Sequence, residues 1–183
     1  MNSFSAFLGL GVRHILTGYD HLLFLGALLM GGGGAWTLLK IVTAFTLAHS
    51  VTLSLAVLGR AVLPARVVEP VIAASIVWVA LENVLFRQAP SRRWLVSFLF
   101  GLVHGLGFAA ALEGLALPRW NLAMVLLGFN LGVEAGQALV IAVALPPLLW
   151  MRAHSWEPHV ARAISVALAV VGAAWLVERL FFA

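Results

Sequence analysis

The chain has 183 residues, 63% of them hydrophobic and only 10% charged, with mean hydropathy +1.06 and a formal net charge of +4. A soluble domain of this length has about a quarter of its residues charged, so too few polar side chains exist here to cover a surface facing water. That excludes a soluble globular domain, and the basic residues fall mainly where apolar runs end, as topology signals rather than a nucleic-acid surface.

A helix needs about 20 apolar residues to span the hydrocarbon, and six segments meet that length, at about 4–30, 37–59, 67–86, 94–115, 120–149 and 160–182. The expected fold is an all-α integral membrane protein, a single domain over 1–183 built as one bundle of six transmembrane helices. Turn chemistry separates the segments at Gly31 to Gly34, Arg60 with Pro64, Ala89-Pro90 with Arg92 and Arg93, Pro118-Arg119, and Met151 to His159. Pro146-Pro147 is expected to end or kink the fifth helix. Trp36, Trp94, Trp120, Trp150 and Trp156 all stand near segment ends, where indole rings favour the headgroup level.

Short connections make sequence neighbours antiparallel, and six crossings put both termini on one side. Lys40, Arg87, Arg92, Arg93, Arg152 and Arg162 face the opposite side, against Arg60, Arg66, Arg119 and Arg179 on the side of the termini. The positive-inside rule therefore places both termini outside. Met1 to Gly11 carries no basic n-region, so no cleavable signal peptide is expected.

Ionisable residues inside apolar spans cost on the order of 3 kcal/mol or more each, and mark function unless they compensate one another. In the first segment His14 and His21 share a helical face, nearly two turns apart, with Thr17 and Gly18 between them and Asp20 beside them. The second segment groups Thr46, His49 and Ser50. The third carries Glu82-Asn83, with Arg87 close enough to pair with Glu82 at the surface, and Ser75 on the Glu82 face. In the fourth, His104 sits among Gly101, Gly105 and Gly107, which let other helices close around it. The fifth aligns Asn130, Glu134 and Gln137 at i, i+4, i+7, and the sixth reads as scaffold, with Glu178-Arg179 as an interfacial pair. His154 and His159 lie in a solvated connection.

No Lys or Arg lies near the middle of any span to neutralise these carboxylates. The expected answer is a shared divalent cation held by His14, Asp20, His21, His49, His104 and Glu134, supported by Glu82, Asn83, Ser50, Asn130 and Gln137. Alternatively each histidine is a plain interhelical hydrogen bonder. The chain contains no cysteine, so thiolate is absent and imidazole with carboxylate suits Ni²⁺, Zn²⁺, Co²⁺ or Fe²⁺ rather than Cu⁺. No nucleotide-binding motif is present and no haem is expected; the partners are the lipid bilayer and the metal ion. Nothing excludes a homo-oligomer.

The stretch from His14 through Asp20-His21-Leu22-Leu23-Phe24 resembles the first-helix signature of the HupE/UreJ family of small bacterial membrane proteins. The resemblance continues through Ala48-His49-Ser50, Glu82-Asn83, His104-Gly105-Leu106-Gly107-Phe108 and Asn130 to Gln137. It implies a metal permease of the bacterial inner (cytoplasmic) membrane with Ni²⁺ the foremost cargo, and from the ligand chemistry Zn²⁺ stands next to it. It also implies that His14, Asp20 and His21 are required for metal passage, with Glu134 on the same path. Ile15 stands where hydrogenase-linked members often have proline. The leading rival is an intramembrane zinc hydrolase with Glu134 or Glu82 as general base. It resembles the adiponectin-receptor and alkaline-ceramidase group, whose paired histidines in the last helix are missing here. A second rival is a membrane accessory or signalling protein with a structural polar core.

Overall fold

The computed structural model describes residues 3–61, 63–86, 91–113 and 122–182. Within them are seven helices: α1 (Ser3–Thr17), α2 (Tyr19–Met30), α3 (Ala35–Val57), α4 (Ala65–Leu85), α5 (Arg93–Glu113), α6 (Leu122–Arg152) and α7 (Glu157–Phe181). The described residues contain no strand, as expected of backbone that must satisfy its own polar groups in lipid.

Four of the helices, α3, α4, α6 and α7, are long and apolar enough to cross a membrane, and α1, α2 and the described apolar part of α5 are shorter. The chain is thus a multi-pass membrane protein. Their outward faces match lipid. Leu47, Val51 and Leu55 of α3, and Val170, Val177 and Leu180 of α7, are exposed apolar side chains.

The first expected segment corrects to two helices, broken at Gly18, whose backbone (φ −81°, ψ 94°) leaves the helical region for one residue. A side chain there would run against the His14 carbonyl and Nδ1 of His21. At Pro146-Pro147 the helix does not end: α6 continues through both prolines to Arg152. Gly32 and Gly33 adopt positive φ (87° and 104°), which lets so short a turn join α2 to α3.

Glycines set the closest helix contacts. Gly128, Gly132 and Gly136 line the α6 face that meets α1, and a Cβ at Gly132 would collide with the Leu8 carbonyl. Gly101 and Gly105 do the same for α5 against Phe45, Ala48 and His49 of α3. Lipid offers no hydrophobic drive between helices, so such close backbone packing supplies the association. A third pairing sets α7 against α4 at Gly172, over Ile76 and Val77. The short α2 lies between these pairs, touching α1, α4, α6 and α7. Its buried Phe24, Ala27 and Leu28 join Ile41 and Phe45 of α3 and Ile76, Val79 and Ala80 of α4 in one core.

Candidate metal centre

Four histidines converge where α1 hands over to α2. His14 closes α1, His21 opens α2, and the Gly18 break turns their rings toward each other, 4.6 Å between centres. His49 comes from α3, its ring centre 6.1 Å from both. One ligand atom from each of His14, His21 and His49 lies within 4.8 Å of the other two, a spacing that a single ion can bridge after small side-chain adjustments. His104 of α5 adjoins the group, its ring centre 5.0 Å from that of His21.

The close glycine packing is what permits this convergence. Gly105, next to His104, lies against the carbonyl of His49, so α5 approaches α3 closely at that level. Phe24, Phe45 and Phe129 wall the imidazoles, at 5.3 Å from His104, 6.0 Å from His49 and 5.4 Å from His14. The walls keep bulk water out and lower the local dielectric, which strengthens any interaction with a cation.

His49 and His104 are fully buried, at 0% and 1% exposure, and His21 nearly so. Nε2 of His21, both ring nitrogens of His49 and Nδ1 of His104 are buried and form no hydrogen bond of good geometry. Buried polar atoms are paired in the great majority of cases, and leaving one unpaired costs about 1–3 kcal/mol. Several such nitrogens gathered at one place form a donor set suited to a borderline metal ion.

The carboxylates are placed otherwise. Asp20 is held by Arg179 of α7, with Nη2 2.9 Å from Oδ1 and 3.1 Å from Oδ2. Glu82 faces Arg93 of α5 at 3.4 Å and accepts from the Trp78 indole at 3.1 Å. Asp20 thus has a cationic partner that the lack of a mid-span Lys or Arg did not suggest, and the partner of Glu82 among the described residues is Arg93 of a neighbouring helix. The Arg87 pairing expected for Glu82 lies outside the described residues. Glu134 accepts from the Thr43 hydroxyl at 2.9 Å.

The remaining polar residues tie helices together. Asn83 donates to the Ala27 carbonyl at 2.7 Å and accepts from Arg93 at 2.7 Å. Gln137 accepts from Thr46 at 2.8 Å. Ser50 turns back onto its own helix, donating to the Thr46 carbonyl at 2.6 Å. Asn130 abuts His49. Sequence reasoning missed Arg93 and Arg179 as partners inside the bundle, and the bond between Ser75 and His104.

No curated protein and no solved structure matches the chain. The family model described as HupE / UreJ protein matches residues 1–179, nearly the whole sequence. A buried histidine cluster and four membrane-length helices agree with that assignment. The chain belongs to the HupE/UreJ family, which is associated with metal transport.

Proposed function

We propose that the protein is a membrane permease for a divalent transition metal, with Ni²⁺ the first candidate, passing through the site formed by His14, His21 and His49. The observation that carries this reading is the approach of three imidazoles from three helices to within 4.8 Å at ligand atoms, inside a membrane bundle. His104 and Asn130 border the site. Asp20 acts from the side, holding the start of α2 through Arg179. Glu134 and Gln137 fix α6 against α3.

A neutral imidazole set leaves the full charge of the ion uncompensated in a dry site. Such binding is selective for borderline metals yet weak enough for release, as conduction requires. The bundle is read as one six-crossing domain, with α1 and α2 together forming the first crossing, in the bacterial inner membrane with both termini outside. The hydrolase alternative needs a general base beside the metal. The three-residue ligand group contains no carboxylate, and Glu82 and Glu134 are engaged by Arg93 and Thr43.

Uptake of Ni²⁺, Co²⁺ and Zn²⁺ into proteoliposomes tests the reading. Wild type is expected to carry at least one of them, and His21→Ala and His49→Ala to slow initial uptake by about tenfold or more, at least the loss seen when a group supporting a metal ligand is removed. Equal rates in wild type, both variants and protein-free vesicles would overturn it.

A further inference from the structure

His104 is buried on α5, and its Nε2 lies 3.1 Å from the Ser75 hydroxyl of α4. That hydroxyl has a second contact, 2.6 Å from the Ile72 carbonyl one turn back on its own helix. A carbonyl only accepts, so the single hydroxyl proton of Ser75 goes to Ile72. Toward His104 the Ser75 oxygen then has only lone pairs to offer. The proton between them must come from the ring. His104 is therefore neutral with Nε2–H, and its Nδ1 carries the unprotonated lone pair.

Nδ1 stands on the far side of the ring from Ser75, is buried, and makes no hydrogen bond. It shares the Phe24- and Phe45-walled interior with His21, ring centre to ring centre 5.0 Å. We propose that Ser75 is a positioning residue which fixes the tautomer of His104, making its Nδ1 a fourth imidazole donor beside His14, His21 and His49. The proposal rests on the permease reading of that cluster and extends it. An imidazole oriented by a partner at its other nitrogen is the usual arrangement of a histidine ligand, and it raises the basicity of the donor atom. Thr in place of Ser75 retains the hydroxyl, whereas Ala frees His104 to take either tautomer.

The test combines two readouts on full-length protein in detergent. ¹⁵N NMR of metal-free, histidine-labelled protein, with His104→Gln to assign the signal, reports which nitrogen of His104 is protonated. Co²⁺ titration followed by visible absorption reports affinity and coordination. Wild type and Ser75→Thr are expected to show protonated Nε2 and bare Nδ1. Ser75→Ala should show mixed tautomers, with Co²⁺ affinity lower by about 10–100-fold, the range for loss of a group that orients a ligand, and a changed absorption envelope. An Nδ1–H tautomer in wild type overturns this inference while leaving the three-histidine reading intact. So does a Ser75→Ala protein with wild-type Co²⁺ affinity and spectrum. Failure of wild type to bind Co²⁺ at all overturns the permease reading, and the fourth donor falls with it.

Discussion

Two polar regions share the interior of this bundle, and they handle the cost of burial in opposite ways. Around Arg93, charges and amides close on one another: Glu82 and Asn83 meet the guanidinium, and Asn83 also reaches the Ala27 carbonyl. Around His49, both of its ring nitrogens, His21 Nε2 and His104 Nδ1 are buried without a hydrogen bond of good geometry. The first arrangement sets charge against charge and ties helices together through Nη2 of Arg93, while Nε and Nη1 of that guanidinium form no hydrogen bond. The second is a set of neutral imidazoles, each with one N–H and one lone pair, left without a well-formed hydrogen bond at these nitrogens. Polarity in the membrane is therefore not one signal: paired charge serves assembly, whereas unpaired imidazole nitrogens are what the proposed metal site would need.

The largest expected effect comes from breaking the paired region. Arg93 is 2% exposed, and Arg93→Met would leave Glu82 and Asn83 without their cationic partner. A loss of about 3–5 kcal/mol is expected, since removing one member strands a buried charge. It should be measured as a lower thermal midpoint in detergent, with Glu82→Gln in the Arg93→Met background recovering part of it. If the single variant is as stable as wild type, the two regions do not differ as described.

Treating the imidazole region the same way should give the reverse pattern. His49→Leu removes a buried polar ring that makes no hydrogen bond of good geometry. Replacing such a group by an apolar side chain is close to neutral or stabilising, so the thermal midpoint should not fall. Metal uptake should drop by about tenfold or more, which would be the stability–activity trade-off of a functional site. A variant that loses stability along with uptake would make His49 a packing residue.

Asp20 offers an intermediate case. Its pair with Arg179 is partly exposed, with side chains 29% and 19% accessible. Solvent screening limits such a pair to about 1 kcal/mol or less. Asp20→Asn and Arg179→Gln should each cost that much, and the double variant no more than either, as a double-mutant cycle would report. Additive losses would mean that Asp20 acts elsewhere, as a ligand for instance. The smallest effect is expected for Glu134→Gln. An amide oxygen can still accept from Thr43, and uptake should stay within about twofold, less than RT ln 10 in barrier height. A collapse of uptake in this variant would place the carboxylate on the metal path.

The membrane class and the residues of interest were legible in the sequence because hydropathy and burial cost are local properties. His14 and His21 were placed on one face by helical periodicity, although an unbroken helix from 4 to 30 does not describe how they meet. The single-residue break at Gly18 changes no hydropathy average, yet it folds the two rings together. The ion pairs were hidden by distance along the chain. Arg179 lies 159 residues from Asp20 and ends a span, where an arginine ordinarily reaches for headgroups. Gly128, Gly132 and Gly136 carried a packing signal at intervals of four, but only the structure identifies α1 as the helix that fills it. Trp36, Trp94, Trp150 and Trp156 sit at one end of the bundle, consistent with their placement near segment ends, and Trp120 lies outside the described residues.

X-ray absorption at the nickel edge, on purified protein loaded with one equivalent of Ni²⁺, tests the central claim most directly. At least three imidazole ligands per nickel are expected in wild type, and one fewer or complete loss of binding in His49→Leu. A spectrum fitted by oxygen donors alone, or one unchanged in His49→Leu, would contradict a metal site built from these histidines.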